Sequence, residues 1–163
     1  MPEVTGSANE NGEVLLSITR TFAAPRDLVF RAWTEPQHLA KWWGPAGFTN
    51  PVCEVDARPG GDIWIVMRGP DGIDYPMSGT FQDFLAPERL VFTAVAEDAD
   101  GNPLLESLTT VTFREEGGKT RVTVNARAAG IAAIAREMLR GMETGWSQSL
   151  DRLEETVASA RLS

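Results

Sequence analysis

A chain of 163 residues with 42% apolar and 23% charged residues has the size and composition of one globular domain that can bury a core without disulfides or metals. The formal net charge of −8 and the scattered basic residues argue against nucleic acid or an anionic membrane surface as a partner. Because no stretch reads as a membrane span or a secretory signal, and Cys53 is the only cysteine, we expect a cytoplasmic protein.

The N-terminal stretch is expected to hold little structure. Residues 1–12 are small, polar and aperiodic, which is typical of a disordered lead-in. We therefore expect a single domain over residues 13–160. From Val14 to Phe22 the residues alternate, which predicts a first strand with Leu16, Ile18 and Phe22 on one side.

Two short helices are predicted to follow this strand. Pro25 suits the first turn of a helix, whose apolar face includes Trp33. The second predicted helix runs from Pro36 to Trp42, and the glycines and proline of residues 44–47 end it in a loop.

Six further segments have the composition of strands. Short turns rich in glycine and proline separate them, which favours antiparallel neighbours. The predicted strands are Val52–Ala57, Asp62–Arg68, Tyr75–Leu85, Arg89–Ala96, Leu104–Arg114 and Thr120–Arg127.

The C-terminal stretch from Ile131 to Ser159 has apolar residues at three- and four-residue steps. This spacing predicts one amphipathic helix of about 40 Å. Gly141 and Gly145 lie beside its apolar stripe, although each costs roughly 1 kcal/mol relative to alanine inside a helix. The glycines either let a strand or a bulky ring approach the helix, or leave room for a ligand beside Met142 and Trp146.

The order of elements predicts an α+β fold of the helix-grip kind. One strand, two short helices, six strands and a long helix have one economical arrangement. In it, a curved seven-stranded antiparallel sheet wraps around the C-terminal helix.

The sequence offers no familiar cofactor site. His38 is the only histidine and Cys53 the only cysteine, which leaves no Cys/His zinc site. Neither a phosphate-binding loop nor a dinucleotide fingerprint occurs, so we expect no metal and no cofactor. A Cys53–His38 dyad is conceivable if the fold brings the two together, but no basic residues near Cys53 indicate a lowered thiol pKa.

Ionisable residues on the strands are the remaining candidates for chemistry, namely Arg68, Tyr75 and Glu106. If they point inward, Glu106 could act as a general base with a raised pKa, or pair with Arg68 to orient a ligand. If they point outward, they are solvated. Strand alternation places the side chain of Glu106 on the face of the strand that Val111 and Phe113 do not occupy, unless a bulge intervenes.

Several segments together carry a resemblance to a known family. They are Phe22–Trp33 leading to Leu39–Pro45, Pro59–Gly61 through Met67–Gly72, Pro87–Thr93, Gly117–Thr123, and the terminal helix through Gly145–Trp146. Over about residues 13–160 the chain resembles the family named for the activator of Hsp90 ATPase, within the START-like (SRPBCC, polyketide-cyclase-like) superfamily.

The resemblance implies a helix-grip fold with a cavity between the sheet and the C-terminal helix. Relatives use this cavity to bind hydrophobic small molecules, and a minority use it for cyclase or dehydratase chemistry. The namesake co-chaperone engages Hsp90 through a separate N-terminal domain, for which this chain has no room, so contact with Hsp90 is not expected.

Three hypotheses about function follow. The first is a non-enzymatic protein that binds a hydrophobic or aromatic small molecule. The second is a cyclase- or dehydratase-like enzyme for a polyketide-like or aromatic substrate, with Arg68, Tyr75 or Glu106 as acid, base or orienting group. The third is a protein-interaction module, related to stress or chaperone function, whose interior is only core. Oligomeric state is not indicated. For the first hypothesis we expect the ligand to contact Trp43, Trp64, Met77, Phe81, Phe92, Met138, Met142 and Trp146.

Overall fold

The computed structural model describes residues 3–8, 13–44, 47–97, 103–129 and 135–162. Within these ranges, side chains are described except at residues 3–8, 13, 96–97, 103–105, 129, 135–142 and 159–162. The elements are β1 (Glu3–Ala8), β2 (Glu13–Phe22), α1 (Arg26–Thr34), α2 (Pro36–Trp42), β3 (Thr49–Val55), β4 (Asp62–Arg68), β5 (Asp74–Leu85), β6 (Arg89–Glu97), β7 (Pro103–Glu116), β8 (Lys119–Ala129) and α3 (Ala135–Leu162).

The strands form one antiparallel sheet in the order β1-β2-β8-β7-β6-β5-β4-β3. The sheet is curved and open, and the α+β helix-grip fold expected from the sequence is confirmed. Strands β3 to β8 form a meander in which each pairs with the next, and β2 joins that meander by pairing with β8. Pro51 lies in β3, at an edge of the sheet, where a missing backbone donor is tolerated.

The predicted disordered lead-in is wrong for Glu3–Ala8, which forms β1 as an eighth strand. It pairs with β2 from Glu3 opposite Thr19 to Ala8 opposite Val14. Composition alone could not reveal this strand, because its backbone hydrogen bonds depend on an edge that β2 supplies. The predicted start of the C-terminal helix at Ile131 lies outside the described residues, and α3 continues past Ser159 to Leu162.

The sheet face that the helices cover, here called the inner face, follows the alternation in the sequence. Leu16 and Ile18 of β2 are buried on it, as are two residues from each of β6, β7 and β8. These are Leu90 and Phe92, Val111 and Phe113, and Val122 and Val124. In β4, Ile63 and Ile65 take the inner positions, which the doubly apolar run had left open.

The three helices cover different parts of this face. Helix α1 contacts β7 and β8, α2 contacts the edge strand β3, and α3 contacts β1 and β2. From α3, Leu150, Leu153 and Val157 are buried in the core. An ion pair of 2.6 Å between Arg20 and Asp151 joins β2 to α3 at the surface.

Strands β5 and β6 approach each other closely at Gly79. A Cβ atom at this position would lie 1.8 Å from the Thr93 carbonyl oxygen, so only glycine fits there. Next to it, the Thr80 backbone N–H donates to Thr93 Oγ1 at 3.1 Å. This contact fixes the spacing of two strands that carry much of the site described next.

Candidate functional site

A small apolar cavity lies between the inner face of β3–β6 and the first two helices. Its volume is about 10 Å³, which is room for about one water molecule. Every described lining side chain is aliphatic, aromatic or a thioether. The lining consists of Trp33, Leu39, Trp43, Val55, Ile63, Ile65, Met77, Phe81, Leu90 and Phe92.

Beside the cavity lies a group of four indole rings, here called the tryptophan cluster, made of Trp33, Trp42, Trp43 and Trp146. The ring centroids of Trp33 and Trp42 are 4.7 Å apart, and those of Trp43 and Trp146 are 5.6 Å apart, both pairs edge to face. Trp33 and Trp146 stack at 5.9 Å with 20° between their planes. The cluster joins α1, α2 and α3 at one point. Each such ring pair contributes roughly 0.5–1.5 kcal/mol to stability beyond the burial of its area.

Two buried indoles of this cluster differ in their hydrogen bonding. Trp42 Nε1 donates to the Ala32 carbonyl at 2.8 Å. Trp33 is also buried, with only 3% of its surface exposed. Unlike that of Trp42, its Nε1 has no acceptor within the described part of the chain. Trp33 lines the cavity, whereas Trp42 does not belong to the described lining.

The backbone of Trp43 is held from two sides. Its carbonyl oxygen accepts hydrogen bonds from Asn50 Nδ2 at 2.8 Å and from Arg152 Nη1 at 3.1 Å. The Arg152 guanidinium also donates to the carbonyls of Gly44 at 3.0 Å and Lys41 at 2.8 Å. Because the last carbonyls of a helix lack partners within it, Arg152 of α3 caps α2. Burial lowers the pKa of Arg152 from its usual value.

Five of the eight residues predicted to contact a ligand lie at or beside the cavity. Trp43, Met77, Phe81 and Phe92 line it, and Trp146 packs on Trp33 and Trp43. Whether they contact a ligand stays a prediction.

Trp64 does not line the cavity, so that prediction is wrong. Its side chain is 37% exposed because Ile63 and Ile65 occupy the inner positions of β4, which turns Trp64 to the outer face. The side chains of Met138 and Met142 lie outside the described part of α3. Their contact with a ligand therefore stays a prediction. The two hypotheses for Gly141 and Gly145 also stay open.

Arg68 and Glu106 do not belong to the described lining of the cavity either. Arg68 is exposed, and its Nε donates to Asp74 Oδ1 at 2.8 Å. The hydrogen bond from Arg68 lowers the pKa of the Asp74 carboxyl, and the same contact raises the pKa of Arg68. Glu106 is exposed because alternation along β7 turns Thr109 and Val111 inward. Neither residue can serve as an acid or base in this cavity.

Tyr75, the third predicted polar residue, is half-buried and lies opposite Met67. Its ring centroid is 6.2 Å from that of Phe48. It does not belong to the described lining of the cavity.

The possible Cys53–His38 dyad has no support in the geometry. Cys53 packs against the core, and burial raises the pKa of its thiol from the ordinary 9.0 to about 11. The thiol is therefore protonated at neutral pH and is a poor nucleophile. His38 Nε2 lies 3.2 Å from Oε1 of Glu35, the residue that precedes its helix.

Six lining residues did not belong to the predicted site, and two kinds of signal could have found them. Trp33 and Leu39 fall on the apolar sides of the two predicted helices. The others occupy inner positions of strands, which become visible only once each strand's face is known. The six are Trp33, Leu39, Val55, Ile63, Ile65 and Leu90.

No helix in the described ranges is both long and apolar enough to cross a membrane. Over the same ranges, no group of three or more His, Cys, Asp or Glu side chains is arranged to hold a metal ion.

Comparison with known proteins gives consistent results. A family model described as "Activator of Hsp90 ATPase homolog 1-like protein" matches residues 23–158. The crystal structure of protein Ms6760 from Mycobacterium smegmatis is 30% identical, with a TM-score of 0.75 over 94% of this chain and 96% of that one.

Two other solved structures are similar. The AHSA1 protein SPO3351 from Silicibacter pomeroyi is 28% identical, with a TM-score of 0.77 over 90% of this chain and 99% of that one. A protein from Arthrobacter aurescens is 24% identical over 95% of this chain and 91% of that one, and its TM-score of 0.79 supports the fold alone. A search of curated proteins gave no match.

Proposed function

The chain belongs to the family of activator of Hsp90 ATPase homolog 1-like proteins, and on that premise we propose that it binds a hydrophobic or aromatic small molecule without transforming it. The binding place is the cavity between the inner face of β3–β6 and the tryptophan cluster. The observation that carries the proposal is the lining itself, in which ten side chains from six segments converge with no charged group among those described. Binding sites for small apolar molecules have such a lining.

A ligand larger than one water molecule requires the lining to move. Small-molecule sites commonly enclose about 300–1,000 Å³, whereas the described cavity holds about 10 Å³. Trp43 is the side chain best placed to move, because it is half-buried and follows the last residue of α2. Met77 can adapt its shape as well, since an unbranched thioether has several accessible rotamers.

The small volume favours one alternative, in which the interior is only core and the protein acts through its surface as an interaction module. In that case no apolar compound would enter the inner face. The enzyme hypothesis has less support, because Arg68, Tyr75 and Glu106 do not belong to the described lining.

The direct test is binding of N-phenyl-1-naphthylamine, a neutral dye whose fluorescence rises in an apolar site. Native mass spectrometry of the freshly purified protein would look for a small molecule retained from the host. We expect saturable dye binding, displacement of the dye by a panel of neutral aromatic compounds, and a higher melting temperature with each binder.

A matched pair of variants locates the binding site on the inner face. Ile65→Phe adds a ring at a fully buried lining position, whereas Val66→Phe adds the same ring one residue along β4, towards the outer face. We expect Ile65→Phe to abolish dye binding and Val66→Phe to retain it. Circular dichroism would verify that both fold. If the wild type binds no dye and no compound, and carries no retained molecule, the interior is core and the proposal fails.

A further inference from the structure

We infer that the ligand is a neutral, mainly aromatic molecule with one hydrogen-bond acceptor, such as a ketone or ether oxygen, which accepts from the Trp33 indole N–H. This inference rests on the proposed function and specifies the chemical class of the ligand. It is carried by one juxtaposition: Trp33 lines an apolar cavity, and its buried indole N–H has no partner in the described ranges.

The donor is unusual within this molecule. Most buried polar groups in proteins have a hydrogen-bond partner, and Trp42, in ring contact with Trp33, follows that rule through the Ala32 carbonyl. Trp33 Nε1 is buried and lacks an acceptor in the described ranges. Leaving a donor in this condition destabilises the folded protein, and an acceptor from outside the chain would remove that penalty.

A single water molecule is a poor candidate for that acceptor. A buried water is usually held by two to four polar partners. The described lining side chains contain no oxygen atom, because each is Trp, Leu, Val, Ile, Met or Phe. An organic acceptor attached to an apolar body needs only the one donor, since its remaining surface contacts the apolar lining.

The ligand is neutral because nothing described in the lining could pair with a charge. The lining contains no Lys, Arg, His, Asp or Glu among its described members, and an unpaired carboxylate is strongly disfavoured in an apolar site. The guanidinium of Arg152, beside Trp43, already donates to the carbonyls of Lys41, Trp43 and Gly44. The aromatic character follows from the edge-to-face and stacked geometry that indole rings favour with other rings.

Three probes of nearly equal size test the inference. 2-Acetylnaphthalene carries a ketone, 2-isopropenylnaphthalene has nearly the same shape with a CH2 group in place of the acceptor oxygen, and 2-naphthoate carries a negative charge at pH 8. Each would be titrated against the wild type in competition with N-phenyl-1-naphthylamine. We expect the ketone to bind roughly two- to twelvefold more tightly than the hydrocarbon, the range for one net hydrogen bond. We expect 2-naphthoate to bind more weakly than either.

Two variants assign the preference to one indole. Trp33→Phe removes the unpartnered N–H, and Trp43→Phe removes another lining indole that is half-buried. We expect the preference for the ketone over the hydrocarbon to disappear in Trp33→Phe and to persist in Trp43→Phe, even where affinity for both probes falls.

If Trp33→Phe does not fold, a second measurement tests the inference by ligand binding to the wild-type protein. The chain has five tryptophans, and their indole N–H resonances can be followed in a ¹H–¹⁵N correlation spectrum. We expect the Trp33 resonance to move downfield with the ketone and not with the hydrocarbon. It would be assigned by elimination with Trp→Phe variants at positions 42, 43, 64 and 146.

The outcomes distinguish failure of this inference from failure of the proposed function, the binding of a small molecule in the cavity. Equal affinity of the wild type for ketone and hydrocarbon overturns the inference while cavity binding stands, and so does a preference that survives in Trp33→Phe. Tighter binding of 2-naphthoate than of the ketone overturns the neutral class. If none of the three probes binds, the proposed function fails, and the inference fails with it.

Discussion

The two halves of the inner face are built from different side chains and packed to different degrees. In the packed half, around β2, β8 and β7, mostly aliphatic residues meet α1 and α3, and the core residues Ile18, Val111, Val122, Val124 and Leu153 are all fully buried. In the cavity half, around β4, β5 and β6, the covering residues come from α1 and α2. Its lining includes four rings and a methionine, and it encloses a gap.

The difference shows how one sheet can supply both stability and a binding place. Valine and isoleucine have few rotamers and fill a pleated surface closely. Large flat rings meet at angles and leave space between their edges, while methionine adapts to what remains. The packed half therefore holds the fold together, and the cavity half can change shape at lower cost.

The largest expected effect tests the packed half. Leu153→Ala removes a fully buried side chain from α3 and should lower the free energy of unfolding by about 2–5 kcal/mol, measured by urea denaturation. Dye binding under native conditions should not change, because Leu153 does not line the described cavity.

The control is Leu15→Ala, which truncates a leucine that is 42% exposed on β2 and should change stability by no more than about 0.5 kcal/mol. If Leu153→Ala has an equally small effect, the packed half does not carry the stability of the fold, and the contrast between the halves is lost.

A second substitution concerns the link between the halves. Arg152→Met removes the guanidinium of α3 that donates to carbonyls at the end of α2. We expect a loss of about 2 kcal/mol in unfolding free energy, the order for buried carbonyls that lose a charged donor. Dye affinity should fall as well, because Trp43 is no longer fixed.

Arg68→Met is the matched control, since it removes an arginine whose partner Asp74 is a single exposed carboxylate. Exposed ion pairs contribute little to stability, so no measurable change is expected there. Equal effects of the two substitutions would show that the cap on α2 is not what holds Trp43.

The remaining expected effect is confined to alkaline pH and concerns Cys53. The pKa of this thiol is about 11 in the folded protein, so the folded state keeps the proton that the unfolded chain releases above pH 9. The stabilising contribution is complete below pH 9 and is lost as pH rises to about 11. The unfolding free energy of the wild type should therefore fall more steeply over this interval than that of Cys53→Ala. Parallel curves would show that burial does not perturb the thiol.

The element order and most inner faces could be predicted because the alternation was clean. Val111 with Phe113 and Val122 with Val124 showed their side directly in the sequence. The run from Ile63 to Met67 is apolar at every position, so its alternation could not show that Ile63 and Ile65 face inward and Trp64 outward. β1 escaped prediction because a polar edge strand is stabilised by its neighbour's backbone and not by its own pattern.

The site was harder to predict than the fold for a related reason. Apolar type and strand membership identified Met77, Phe81 and Phe92. Whether the side chains of Arg68 and Glu106 point inward could not be predicted, because the inner face of their strands was not yet known. The missing acceptor of Trp33 has no counterpart in sequence at all. It follows from the three-dimensional arrangement of α1 against three other rings.

The pairing of β2 with β8 has a consequence for how the chain assembles. Strands β3 to β8 pair with their neighbours in sequence across short turns, whereas the residues joined between β2 and β8 are roughly 100 positions apart. Closing so long a loop carries a larger entropic cost and slows folding. During synthesis β2 leaves the ribosome early, and its partner β8 is the last strand to be made. Leu16 and Ile18 must therefore wait for their partners on β8, Ala126 and Val124, until the meander is nearly complete.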